Sequence, residues 1–266
     1  MSEDVLIAEH GPILELTLNR EEKLNAITPA MIETIRAQVH AYAERDDLRV
    51  MLFRAKGRYF SAGADLTRAQ NYEGKSTSGV RNWYRTTMGG GMQPLYDEME
   101  AIEKPFVVAH HATCVGGGLE LSLSCDFRLA AKSARYIFPE AKLGAIPASG
   151  GVSRFTRLVG AHWAKWVIMA DQAINADRAL MIGLVHDVYE DAEFDEKVMA
   201  FCVKLAAQPP EMIAMAKLTI DLAADATPGR ARMIERLGQS ILHVGDESAQ
   251  LLEAMRAKLS QNDKKG

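Results

Sequence analysis

The chain is poor in several things that would narrow its function at once. It has only three cysteines, Cys114, Cys125 and Cys202, far apart and with no Cys-x-x-Cys pair. Such a set excludes a disulfide framework or a thiolate zinc site and reads as buried thiols in a reducing compartment. No stretch reaches the roughly 18 uninterrupted apolar residues of a membrane span. Charge of one sign is lacking too: 31 basic against 35 acidic residues leave a net charge of −4. That balance does not favour a nucleic-acid-tracking surface, although a local basic patch for a phosphate-bearing ligand remains compatible with it. The acidic start, Met1-Ser2-Glu3-Asp4, lacks the basic flank and apolar run of a signal peptide. The expectation is a cytoplasmic protein that binds neither nucleic acid nor membrane.

Catalytic signatures are missing as well. The seven histidines include no His-Glu-x-x-His spacing, and the one adjacent pair, His110-His111, points to opposite faces if it lies on a strand, so no metal site is expected. There is no Gly-x-Ser-x-Gly elbow for a serine hydrolase and no Gly-x-x-x-x-Gly-Lys-Ser/Thr phosphate loop. Ser61 and Ser149, close to glycines, read as turn residues.

What is present is an ordinary globular composition, 48% hydrophobic and 25% charged, over 266 residues. This length fits about two domains, or one α/β domain with a helical appendage. Residues 13–18 and 49–55 read as strands, with a helix between them opening at Thr28-Pro29 and running to about Arg45. A helix is expected over about 80–103, weakened or broken at Gly89-Gly90-Gly91. Within it Trp83, Tyr84 and Met88 are either an amphipathic packing face or the lining of an acyl tunnel. Strands follow at 105–109, 127–130 and 135–138, and a helix near Gly150-Gly151. From about Ala161 helical periodicity dominates, with one strand at 186–189 and helices starting at Pro209-Pro210, Thr227-Pro228 and Asp246.

Two glycine-containing turns and two glutamates carry the chemistry. In Phe60-Ser61-Ala62-Gly63-Ala64-Asp65-Leu66 the small residues let backbone approach a ligand closely. Gly116-Gly117-Gly118-Leu119-Glu120 follows a strand and opens a helix, whose free N–H groups suit a developing oxyanion. Glu120 stands in an apolar segment, where a carboxylate must be paired or protonated; capping its own helix is the simpler reading. Glu140, after Phe138-Pro139, reads alone as a loop charge. Two carboxylates in different environments can hold different protonation states, which paired acid/base work requires.

These segments, with Asn19-Arg20-Glu21-Glu22-Lys23-Leu24-Asn25-Ala26 and the run Phe138-Pro139-Glu140 to Gly144-Ala145-Ile146-Pro147, resemble the crotonase (enoyl-CoA hydratase/isomerase) superfamily over nearly the whole chain. The resemblance implies an α/β spiral of ββα repeats over residues 1–200, carrying an acyl-CoA site, and a helical oligomerisation region over 201–266 that forms a trimer or a dimer of trimers. It implies that the N–H groups of Ala64 and Gly117 hold a thioester oxygen, that Glu120 orients and activates water, and that Glu140 exchanges a proton at C2. Main-chain groups of Ala26, Ala62, Asp65 and Leu66 would face the adenine or pantetheine. Lys23 is a candidate for the CoA phosphates or a plain surface charge. CoA enters as part of the substrate, with no separate cofactor.

Keeping both glutamates points to hydration of a trans-2-enoyl-CoA. The alternatives are another acyl-CoA reaction of the superfamily (double-bond isomerisation, dehalogenation, C–C cleavage) or a non-catalytic RNA-binding or scaffold member. Departures from the hydratase pattern are Ala148 after Ile146-Pro147, His111-Ala112, a longer stretch between Asp65 and Gly116, and Asp246-Glu247-Ser248 with Leu251-Leu252-Glu253 near the end. They bear on the acyl group more than on the reaction.

Overall fold

In a computed structural model of the chain we describe residues 4–66 and 74–262, with side chains outside 83–90 and 258–262. The chain divides into two units, Met1–Ala206 and Ala207–Gly266.

The first unit is built by repetition. β1 (Val5–His10) and β2 (Ile13–Leu18) form a hairpin about the left-handed Gly11, and α1 (Pro29–Glu44) follows. Three successive strand pairs come next, each trailed by a helix: β3 (Val50–Ala55), β4 (Tyr59–Ser61) and α2 (Thr77–Ala101); β5 (Phe106–His110), β6 (Thr113–Val115) and α3 (Gly117–Leu123); β7 (Phe127–Ala131), β8 (Arg135–Ile137) and α4 (Gly151–Ala164). The first strand of each pair joins one sheet and the second joins another. The larger sheet has the order β1-β2-β3-β5-β7-β10 and the smaller β4-β6-β8-β9, where β9 is Ile174–Asn175 and β10 is Asp187–Tyr189. Among the described residues only β1–β2 and β8–β9 pair antiparallel. This is the expected ββα spiral, and each turn delivers a strand end and a helix start to the same neighbourhood.

Strand alternation sorts the side chains into two cores. Leu14, Leu16, Phe53 and Val108 pack with α1, α2 and α3 in one. Ile13, Leu52, Val107 and Leu129 face the other way, onto Phe194, Val198, Cys202 and Ala206, which recur every fourth residue along α6 (Phe194–Ala206). Each fully buried Leu, Val or Phe contributes about 1.5–3 kcal/mol.

Local signals set the helix ends. Thr28 Oγ1 accepts the N–H of Met31 at 3.2 Å, capping α1 as its Thr-Pro start predicts. α2 starts earlier than its periodicity predicts because Ser76 Oγ accepts the N–H of Gly79 at 3.1 Å. It is interrupted at Gly91, whose φ is +92 and whose carbonyl accepts from Arg36 at 2.8 Å. The side chains of Trp83, Tyr84 and Met88, expected either to pack or to line an acyl tunnel, lie outside those described.

The second unit consists of α7 (Pro210–Ala224), α8 (Pro228–Val244) and α9 (Asp246–Asn262). Gly238 lets α8 lie close on α7, since a Cβ there would come within 2.8 Å of Thr219 Cγ2. Glu247 accepts the N–H groups of Glu211 and Met212, both at 3.3 Å, and so caps the start of α7. No described helix is long and apolar enough to cross a membrane.

Candidate active site

The first glycine turn is held by the segment before α1. Leu24 and Asn25 are both left-handed, at φ +52 and +53, an uncommon pair that Asn tolerates best. Asn25 is fully buried and stitches the loops together: its Nδ2 donates to Lys56 O (2.7 Å) and Tyr59 O (2.9 Å), and its Oδ1 accepts from Arg20 N (2.8 Å). Residues 24–27 then run along 62–65. Ala62 N donates to Leu24 O, Ile27 N to Gly63 O and Asp65 N to Ile27 O, at 2.7–2.9 Å. In this parallel bridge the residue facing Ile27 is Ala64, and its own N–H is directed to the opposite side.

The second turn begins at Gly116, whose φ of 48° and ψ of −120° suit glycine alone. Its N–H is bound to Ile137 O at 3.0 Å, and α3 starts at the next residue. The two turns touch through their backbones. A Cβ on Gly63 would lie 3.1 Å from Gly117 N, and a Cβ on Gly117 would lie 3.1 Å from Ala64 N. Among the described residues neither Ala64 N–H nor Gly117 N–H meets an acceptor. Ser61 is part of the frame: its Oγ donates to Asn25 O (2.8 Å) and accepts from Gly63 N (3.1 Å).

Glu120, at 4% exposure, does not cap its own helix. Its Oε1 accepts from Ser149 N at 2.7 Å and Gly151 N at 3.1 Å, where α4 begins. Glycine at 151 is required, since a Cβ would lie 2.8 Å from that oxygen. Arg154 fixes the same turn, donating to Ser149 O at 3.2 Å while it forks onto Glu100 and Asp97 of α2. Burial, supplemented by the charge of Glu140, pushes the Glu120 carboxyl up to about 7 against the pull of the two N–H groups and Arg154.

Glu140 sits on the 3-10 turn Pro139–Leu143, closed by the left-handed Gly144. A Cβ on Gly116 would lie 2.8 Å from its Oε1. Its Oε2 is buried and meets no partner among the described residues. Burial raises this carboxyl above the usual range, and the charge of Asp171 raises it further. The fold therefore gathers Ala64, Gly117, Glu120 and Glu140 in one place.

The expected ligand contacts are more dispersed in character. Lys23 is exposed, at the end of the 3-10 turn Glu21–Lys23. Ala26 and Ala62 are half-buried and Leu66 is 62% exposed. The Asp65 carboxylate is committed to Arg20 at 2.8 Å, and the same guanidinium takes Ala26 O at 3.0 Å. His110 is buried against Phe60 and Tyr136, whereas His111 meets Gly57 O at 2.7 Å, so the two do face apart. Among the described residues no three His, Cys, Asp or Glu side chains could share a metal ion. A cavity of about 300 Å³ opens elsewhere, at the ends of β3, β5 and β7. Of its polar groups, Arg54 pairs with Asp195, and Ser133 with Asp191 and His111 O.

Three residues of this neighbourhood have no sequence signal: Arg154, Asp171 and Tyr96, whose hydroxyl donates to Gly117 O. Their roles depend on contacts between distant segments, and no motif spacing announces them.

The sequence profile of the enoyl-CoA hydratase/isomerase family matches residues 8–262. The chain is 32% identical over 222 residues to a short-chain-enoyl-CoA hydratase of Clostridium acetobutylicum, covering 82% of this chain and 81% of that one. It is 30% identical over 234 residues to a crotonyl-CoA hydratase of Syntrophomonas wolfei, covering 88% and 87%. A crystal structure of an enoyl-CoA hydratase from Bacillus anthracis superposes with a TM-score of 0.86 at 28% identity, over 96% of this chain and 97% of that one. The chain belongs to the enoyl-CoA hydratase/isomerase family of the crotonase superfamily.

Proposed function

We propose that the protein is an enoyl-CoA hydratase, adding water to a trans-2-enoyl-CoA to give a 3-hydroxyacyl-CoA. One observation carries this reading: two main-chain N–H groups that meet no acceptor among the described residues, Ala64 and Gly117, share a site with buried Glu120 and half-buried Glu140, both of raised proton affinity. The hydratase names of the relatives support it.

In this reading the thioester oxygen accepts from both N–H groups. Ionised Glu120 takes a proton from a water molecule, whose oxygen bonds to C3. The C2–C3 π pair moves toward the thioester, and the oxygen becomes an enolate oxyanion. Donors already in place stabilise that charge without reorganising, each worth about 3–4 kcal/mol. Glu140, protonated, hands its proton to C2 and the carbonyl re-forms. One water has been added, and the proton has passed from Glu140 to Glu120, to be reset by exchange with solvent. These steps call for no metal or redox cofactor, and CoA arrives within the substrate. Lys23 would meet the CoA phosphates, and main-chain groups of Ala26, Ala62, Asp65 and Leu66 the adenine or pantetheine.

The reading includes assembly as a trimer or a dimer of trimers. It is supported by an uncovered apolar stripe on α8, where Met233, Leu237, Ile241 and Val244 are 54%, 60%, 59% and 88% exposed. A cytoplasmic location is supported by three buried, unlinked cysteines.

The test is product mass after incubation with trans-2-enoyl-, 3-enoyl- and 3-hydroxyacyl-CoA esters. Gain of one water by the trans-2-enoyl ester is expected. An unchanged mass with altered absorbance would instead assign a double-bond isomerase.

A further inference from the structure

Asp171 follows the π-helical segment Lys165–Met169 and holds φ at +50. A left-handed residue that is not glycine costs about 1 kcal/mol or more, and aspartate and asparagine bear it best. Its Oδ2 meets Lys142 Nζ at 2.8 Å, and Lys142 belongs to the same 3-10 turn as Glu140. The other oxygen, Oδ1, is buried and meets no donor among the described residues, a condition it shares with Glu140 Oε2. Two adjoining turns thus each bury a carboxylate oxygen without a partner, at the cost of its desolvation. Such an arrangement is unfavourable for packing alone, and the charge of Asp171 disfavours ionisation of Glu140.

We propose that Asp171, with Lys142 as its counter-ion, is a positioning residue for proton transfer that sets the protonation of Glu140. The inference rests on the reading of Glu140 as the group that serves C2. The charged groups around Glu140 are Asp171, whose charge acts on it, Lys142 of the same 3-10 turn, which pairs with Asp171, and Glu120 on α3, on which the charges of Glu140 and Arg154 act. The charge of Asp171 opposes ionisation of Glu140, in the same sense as burial. Lys142 works in the opposite sense by neutralising Asp171. The two residues therefore have effects of opposite sign, which a merely structural pair would not have.

Isotope-edited infrared titration of the full-length protein tests this without turnover, the Glu140 carboxyl band being identified by its loss in Glu140→Gln. In Asp171→Asn, nearly isosteric and at home at positive φ, the Glu140 midpoint should fall by at least about half a pH unit. Asp171→Gly, which removes charge and backbone strain together, should lower it similarly, and Lys142→Gln should raise it. The limb of the kcat/KM profile for hydration that reports Glu140 should move with each midpoint. An unmoved midpoint in Asp171→Asn, or a shift confined to Asp171→Gly, overturns the inference and leaves the role of Glu140 standing. Undiminished hydration by Glu140→Gln overturns that role and the inference with it.

Discussion

Tyr96 donates its buried hydroxyl to the carbonyl oxygen of Gly117 at 3.0 Å. The bond ties the C-terminal part of α2 to the peptide that follows the candidate oxyanion donor, and so constrains the ψ angle of Gly117. A neutral buried hydrogen bond is worth about 1 kcal/mol net. Tyr96→Phe should therefore lower kcat about five-fold with KM nearly unchanged, as steady-state kinetics on an enoyl-CoA would show.

Gly117→Ala should be far more damaging. The added methyl would sit 3.1 Å from Ala64 N and 3.2 Å from Met92 Cε. The methionine can yield, but the methyl still crowds the place where an oxygen must reach both N–H groups. Loss of a donor of this kind costs about 10²–10³ in kcat. A circular-dichroism spectrum matching wild type, with turnover down by that factor, is the expected result.

Glu120 acts as a base only when ionised, and its carboxyl is pushed up to about 7. The hydration rate, kcat/KM, should then fall on the acid side of about pH 7, approaching ten-fold per pH unit. A plateau extending down to pH 5 would remove Glu120 from the base role.

The same carboxyl shapes stability with a definite sign. Raised in the folded state from 4.5 to about 7, it lets the unfolded chain ionise first. Stability is full below about pH 4.5 and is lost as pH rises through 7, by about 3 kcal/mol. Glu120→Gln should be more stable than wild type at pH 8, with the gap closing toward pH 4.5. His110, buried and held neutral with its ring pushed down to about 3, works oppositely. Its contribution is complete above about pH 6.5 and falls by about 1.4 kcal/mol per pH unit below that. Between pH 4.5 and 6.5 the two nearly cancel, so chemical denaturation should show a rising slope with pH in Glu120→Gln and a falling one in His110→Gln.

Much of this is legible in the sequence. Thr28-Pro29, Pro209-Pro210 and Thr227-Pro228 mark helix starts because proline and the residue before it act locally, and α1, α7 and α8 begin there. The turns around Gly63 and Gly116 were visible because close backbone approach needs small residues. β1 was not legible, since this edge strand buries only Val5 and leaves no alternation to read. β9 has two residues and no pattern at all. The partners of Glu120 were hidden for another reason. Sequence predicts that a carboxylate at a helix start caps that helix, but the spiral places α4 closer to it, and Ser149 and Gly151 take the bond. Tyr96, Arg154 and Asp171 matter only through what packs against them, which spacing along the chain does not encode.

The central claim is that Glu140 carries the proton for C2 while other groups bind the ester. Glu140→Gln keeps the side-chain shape and an acceptor oxygen but has no acidic proton. Enoyl-thioester absorbance should persist in its presence, while calorimetry shows CoA-ester affinity within a few-fold of wild type. Turnover at the wild-type rate by Glu140→Gln would contradict the account.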